Sequence, residues 1–371
     1  MSNSRQIIAD YDSPGASSEH HTKRRAVGND SGEHRGEVSP SLGRKPLDPN
    51  IADERMRTPL FWAVIGGFTE IVELLLGRKC VDPNLPDWHP RTPLLISASR
   101  GHGAIMRLLL NREDIRPDAA SPSGRTPLSF AAQNGHTELA ELLLAREDVN
   151  PDTPDRVGRT PLSYAAQNGR TELLELLMVR EGANPDTPNS TVRTPLSFAA
   201  AEGHKDIVRL LLAREEVGPD KCIGFRSPLL FACSKGHDEV VKLLLEKGGL
   251  DPNRVDKYWA DTPIGCAVSC GNARIVEMLL QLEEVDPNFR DRNGDTPLMR
   301  AVSMGYEPIV ELLLTSERVD PNVSSPQGGT ALSYAADSGR EKMVAMLLSR
   351  ADLIPDMRGM DGGPPMADGG G

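Results

Sequence analysis

Aromatic residues make up only 4% of the 371-residue chain, fewer than large compact cores ordinarily hold. Cysteine is scarce as well: Cys80, Cys222, Cys233, Cys266 and Cys270 are too few and too scattered for a disulfide framework. Reduced thiols and an intracellular setting, cytoplasmic or nuclear, are the expectation. No run approaches the roughly 20 apolar residues of a membrane span. The opening MSNSRQIIADYDSPGASSEHH holds no apolar stretch of signal-peptide length. Positive charge is in deficit too. The formal net charge of −11 speaks against a general nucleic-acid or anionic-membrane binder. Signatures of catalysis are also missing: there is no Gly-x-Ser-x-Gly elbow, no phosphate loop closing in Gly-Lys-Ser/Thr, no His-Glu-x-x-His and no kinase-like set. These absences exclude the familiar enzyme classes and call for no cofactor.

What the chain has in abundance is a repeat. Thr-Pro-Leu or a near variant starts at Thr58, Thr92, Thr126, Thr160, Thr194, Ser227, Thr262, Thr296 and Thr330, with gaps of 33 to 35 residues. A glycine follows nine residues after each start, from Gly67 through Gly135 to Gly339, and a leucine-rich run comes seven residues later. Most units close in a proline loop such as VDPN or VNPD. Self-similarity at this period signals a stacked array.

One unit, RTPLSFAAQNGHTELAELLL at 125–144, shows the physics. Thr126 is a helix N-cap whose hydroxyl accepts from an orphan amide of the first turn. Pro127 follows at the first helical position, where a missing N–H costs nothing. Leu128, Phe130, Ala131 and Ala132 lie on the short first helix, and Gly135 ends it in a left-handed turn. The second helix, TELAELLLA, presents Leu139, Leu142 and Leu143 at helical spacing. Helices this short are unstable alone and need like neighbours to bury a continuous core.

These residues resemble the ankyrin repeat: Thr-Pro-Leu, the Ala-Ala that follows (Ala131-Ala132, Ala165-Ala166, Ala199-Ala200), Gly-His (Gly135-His136, Gly203-His204, Gly236-His237) and the Leu-Leu-Leu of the second helix. The units look like those common in large fungal ankyrin proteins. The resemblance implies an all-α solenoid of nine helix-turn-helix units with finger loops over residues 47–358. It also implies a non-catalytic scaffold that binds a protein partner through its concave face. The alternative is a recognition module separated from a larger intracellular sensor or regulator. Residues 1–46 match no unit and are expected to form a disordered arm, in which Lys23-Arg24-Arg25 is a weak nuclear-import candidate. Residues 359–371 look like an abortive tenth repeat, since Pro365 and Met366 fall 34 residues after Ala331 and Leu332.

Two departures from the family matter. The histidine that often follows Thr-Pro-Leu is replaced by Ser129, Ser163, Ser197 and Ser333. The glycine after the second helix is mostly replaced, as in ARED at 145–148. Those helices are expected to end through a 3₁₀ turn or a left-handed Asp.

Each polar cluster has a bland explanation that outweighs a chemical one. His102, His136, His204 and His237 share one column, but a single row at helix-packing distance does not make a tetrahedral metal site. Packing and a hydrogen bond at the start of the second helix suit them better. Cys266 falls in a core column and Cys270 in an exposed one, so they form no zinc pair. Ser129 and His136 recur as Ser197 and His204, as a structural role requires. The arginines before the threonine (Arg57, Arg91, Arg125, Arg159, Arg193, Arg226) give way to Asp261 and Asp295. Local pairing with finger acids explains them better than polyanion binding.

By elimination the surface carries the function. The two residues before each hairpin glycine are expected to face outward, and they vary: Ile65, Arg100, Asn134, Asn168, Ala201-Glu202, Lys235 and Met304 are among them. Trp88-His89 and Tyr258-Trp259 place aromatics in two fingers, the residue types of interface hot spots. Repeat one is more apolar than its neighbours at Phe61, Ile65 and Phe68, where a terminal repeat should be polar. A binding or self-association site at that end is therefore expected.

Overall fold

The computed structural model describes residues 48–221, 226–256 and 260–354. The chain divides into residues 1–47 and 48–371, and the described residues all belong to the second unit. The expectations for the arm at 1–46, the tail at 359–371, and Tyr258 and Trp259 lie outside the described residues.

Thr-Pro-Leu starts a helix wherever it occurs. In repeat three the Thr126 hydroxyl accepts from the Ser129 amide at 3.2 Å, and Pro127 opens the helix Pro127–Asn134. Gly135 ends that helix at φ 78°, a left-handed backbone that costs glycine little. The second helix, Thr137–Leu144, runs back and buries Leu139, Ala140 and Leu143 against Leu128, Ala131 and Ala132. Nine such pairs make eighteen α-helices among the described residues, where a lone bridge between Ser324 and Thr330 is the strand-type pairing. First helices pack on first helices and second on second, so one apolar core runs from Leu60 to Leu347. The fold is an all-α repeat solenoid. Each fully buried leucine contributes roughly 1.5–3 kcal/mol by leaving water, which individual repeats of this size need.

The serines that replace histidine stay within the cap. The Ser129 hydroxyl lies 3.2 Å from that of Thr126, and Ser163 and Ser197 repeat the contact with Thr160 and Thr194. At Ser333 the exchange is reciprocal: its hydroxyl accepts from the Thr330 amide at 2.8 Å, while its own amide donates to the Thr330 hydroxyl at 3.2 Å.

Seven of the nine second helices end in right-handed turns, with Arg146 N–H donating to the Leu143 carbonyl at 3.1 Å; Gly248 is left-handed in φ and Ser316 extended at the other two. No aspartate among the described residues is left-handed; the non-glycine residues with positive φ are Met56, Pro90, Val192 and Ala260. The 3₁₀-type bond is therefore the alternative that forms. The arginine two residues after these helices does more than tolerate the turn. Arg146 Nη1 donates to the Leu110 carbonyl at 3.0 Å, the last helical residue of the preceding repeat. Arg112 does the same to Leu76 at 3.0 Å, Arg214 to Met178 at 3.2 Å and Arg350 to Leu314 at 2.6 Å. Repeat eight has Ser316 in this column, and Arg318, two residues on, reaches the Leu280, Glu283 and Val285 carbonyls instead. Orphan carbonyls at a helix C-terminus are thus capped from the next repeat.

The finger loops are joined by a second ladder. Asn50, Asn84, Asn253, Asn288 and Asn322 each donate through Nδ2 to a carbonyl of the next finger and accept through Oδ1 from a backbone amide there. The four intervening repeats carry Asp118, Asp152, Asp186 and Asp220 in this column, and in each the Oδ1 is buried without a partner.

Candidate protein-interaction surface

The arginine column lies beside an aromatic one. Four residues after the capping residue, five repeats that follow an arginine carry Trp62, Phe130, Tyr164, Phe198 and Phe231, and guanidinium groups stack on these rings. Arg57 lies 3.8 Å from the Trp62 centroid, Arg125 4.0 Å from Phe130, and Arg159 4.6 Å from Tyr164. Most of these arginines also have an acid. Arg57 pairs with Asp53 at 3.0 Å, Arg91 with Asp87 at 2.7 Å and Arg159 with Asp155 at 3.1 Å, each acid four residues earlier. Arg226 pairs with Asp256 in the next finger, and Arg125 bonds to Gln133. The Tyr164 hydroxyl donates to Asp155 at 2.7 Å; burial first, and that bond second, push the phenol pKa up.

Arg193 differs. The residue four before it is Asn189, whose Oδ1 accepts from the Arg193 backbone amide. The guanidinium sits between Phe198 at 4.1 Å and Phe231 at 4.4 Å, and its Nε is buried without a partner. Among the described residues no ion pair reaches it. Burial lowers its pKa, with the Glu202 charge acting against that.

The change of sign along the column is a swap. Asp261 takes the arginine position in repeat seven, and Arg300 takes the aromatic position in repeat eight. Arg300 donates to Asp261 at 2.8 Å, to the Gly265 carbonyl at 3.0 Å and to Ser269 at 2.8 Å, and also pairs with Asp291. A cation is retained between the two repeats while the two columns exchange charge.

The residues before the hairpin glycine divide into two sets. Glu202, Lys235 and Met304 are exposed, with no side-chain bond to a neighbouring repeat. Three others bond to the scaffold: Asn134 and Asn168 are half-buried, while Arg100 stays exposed. Arg100 donates to the Ile65 carbonyl at 3.2 Å and Asn134 to the Ser99 carbonyl at 3.0 Å, each reaching one repeat back. Asn168 turns onto its own helix and donates to the Tyr164 carbonyl at 2.9 Å. Ala201 is buried, because a methyl at this position fits under the adjacent repeat. Trp88 is 55% exposed and its ring tilts against that of His89, with centroids 4.1 Å apart. The Trp88 amide donates to the Arg55 carbonyl at 3.0 Å, so the backbone of this finger is tied to its neighbour while the indole stays open.

Histidines join repeats too. They pack at the start of the second helix, as expected, but the bond is not a cap; His136 makes no side-chain cap bond. The ring reaches back instead. His204 Nε2 donates to the Gln167 carbonyl at 3.1 Å and His237 Nε2 to Ala201 at 3.2 Å. Burial lowers the His136 pKa. Arg170 and Arg340, in the same column, donate to the equivalent carbonyls of Gln133 and Ser303, and Asn272 donates to the Gly236 carbonyl two residues further on, so the position needs a donor with reach and no imidazole chemistry. Among the described residues no cluster could hold a metal ion. Cys266 is buried and Cys270 exposed; burial raises the thiol pKa of both, which disfavours a reactive thiolate.

A family model for ankyrin repeats in sets of three matches overlapping segments from residue 38 to residue 356. The chain belongs to the ankyrin-repeat family. No curated protein matches it. No helix among the described residues of this ankyrin array is long and apolar enough to cross a membrane.

The first ankyrin repeat corrects one further expectation. Phe61 is 0% exposed and cannot meet a partner. Its column, three residues after the threonine, points between first helices, and Leu95, Leu230 and Met299 are buried there too. Ile65 is half-buried, but Phe68 is 55% exposed, so the end is apolar through different residues. Ile71, at 48%, and Leu74, at 75%, are the larger part of it, and both were concealed in sequence by columns that are apolar in every repeat.

Proposed function

We propose that this ankyrin array is a non-catalytic scaffold that binds a protein partner through the face formed by its fingers and first helices. A carboxylate of that partner seats at Arg193. The observation that carries this reading is the guanidinium held between Phe198 and Phe231 with no acid paired to it. Its neighbours in the column have an acid of their own at Asp155 and Asp256. A half-desolvated cation costs free energy that a partner anion would offset, and stacked arginines are common anchors in interfaces. Around it the frame is uniform while Glu202, Lys235, Met304 and Trp88 vary and stay exposed, which suits one defined partner. Tyr258 and Trp259 extend the same row of fingers in sequence.

The test is selection from a displayed random-peptide library on the full chain. Enriched peptides are expected to share an acidic residue and to lose binding to Arg193→Met. Recovery of peptides without an acid, or equal binding to the variant, would overturn the assignment.

A further inference from the structure

The two ends of the described array are built like its interior. Ile71 is open, whereas its equivalents Ile105, Leu139, Leu173, Ile207, Ile275 and Ile309 are buried by the preceding repeat. At the other end Ala336 is exposed and Val344 half-buried, where Ala132 and Ala140 of repeat three are fully covered. Ala336, Gly339, Val344 and Leu348 line an apolar hollow there.

A specific complement links these faces. At each junction inside the array a side chain of one repeat lies over the hairpin glycine of the repeat before it. His102 covers Gly67, His136 covers Gly101, His204 covers Gly169, and Tyr306 covers Gly271. Among the described residues Gly339 has nothing over it. Phe68 stands in the covering column, resting against Gly66 of its own helix with more than half its surface open. Tyr306 shows that this column accepts an aromatic ring.

We propose that a second copy of this chain stacks head to tail on the first. The start of repeat one docks on the end of repeat nine, with Phe68 over Gly339 and Ile71 and Leu74 against Val344 and Leu348. The contact is the array's own junction made between molecules. Because it joins two different surfaces and continues the step from repeat to repeat along the array, association runs on into open chains. One feature opposes it. At two junctions inside the array an acid eleven residues after the capping residue meets a base at position twelve of the next repeat: Asp238 meets Arg274 at 2.7 Å and Glu307 meets Lys342. Between copies these positions hold Glu341 and Glu70, two acids. The contact is therefore reversible and strengthened by salt.

Sedimentation velocity on the full chain tests this. The mean mass of wild type is expected to rise with concentration past the dimer. Glu70→Lys should tighten the contact about two- to fivefold by restoring the acid–base pair. Leu74→Glu and Leu348→Glu change exposed residues, so folding should survive, and each should be monomeric alone. Mixed, they should form a dimer and stop, since one keeps an intact start and the other an intact end. Wild type that stays monomeric, a symmetric dimer that does not lengthen, unaffected end variants, or a mixture that stays monomeric would overturn the proposal.

Discussion

Asn84 Nδ2 donates to the carbonyl oxygen of Asp114 in the next finger at 2.8 Å, and its Oδ1 accepts from the Arg116 amide at 2.9 Å. One repeat on, Asp118 accepts from the Asn150 amide at 2.9 Å and leaves its other oxygen buried without a partner. An amide clasps the next finger with both atoms; a carboxylate, having no hydrogen to give, holds it with one.

Asp118→Asn and Asp152→Asn should each stabilise the array by about 1 kcal/mol by supplying the missing donor. Asp186 and Asp220 gain less, because Lys221 and Arg254 already pair with them at 2.8 and 2.7 Å. Urea midpoints of the single variants measure this, and unchanged or lower midpoints for the first two would contradict it.

The same site gives a pH dependence. Burial raises the pKa of Asp118 and of Asp152 in the folded chain. Their stabilising contribution is complete below the unfolded carboxylate value of about 3.9 and is lost as pH rises through the folded value. Asp114, Asp148 and Asp352 have the opposite sign, because hydrogen bonds from Arg112, Arg146 and Arg350 lower their pKa. Their contribution is present above about 3.9 and fades as pH falls through their lowered values. The advantage of the Asp118→Asn, Asp152→Asn double variant should thus be largest at neutral pH and shrink on acidification. A gap constant with pH in urea titrations would refute the account.

Arg112 bonds to three carbonyls of the preceding repeat, those of Leu76, Arg78 and Val81, and also pairs with Asp114. Arg112→Met should cost about 1–3 kcal/mol, since the carbonyls lose a charged donor. Arg112→Lys should recover little of it, because an ammonium cannot span that set. Thermal melts compare the two, and full rescue by lysine would reduce the cap to a charge effect.

The Arg300–Asp261 swap predicts strong coupling. Arg300→Phe alone leaves Asp261 half-buried without its cation and should destabilise by about 2 kcal/mol or more. Asp261→Arg alone crowds two cations and should do likewise. Together they recreate the arrangement of Arg125 and Tyr164, a guanidinium 4.6 Å from the ring of the next repeat, and should cost much less than the sum, which a double-mutant cycle in urea reads directly.

The helices were legible because their signals are local. Thr126 caps, Pro127 starts and Gly135 stops a helix by rules that need no neighbour. Contacts between repeats were harder to see. The fate of Phe61 depended on knowing that its column points between helices, although Leu95 and Met299 in that column were a usable sign. Arg146 lies in the segment that lacks the usual glycine, and the carbonyls that it and Arg112 reach lie some 36 residues back in the chain. For Asn134 and Arg100, sequence position says which way a residue starts, not where a long side chain ends. The unpaired Arg193 was hidden among arginines of one column, and only the substitution of Asn189 for the usual acid marked it.

The most direct measurement is the affinity of a library-selected acidic peptide for wild type and for Arg193→Met, by calorimetry on the full chain. The account predicts at least about tenfold weaker binding to the variant, the loss expected when a buried charged hydrogen bond goes unmade. Equal affinity for the two proteins would contradict it.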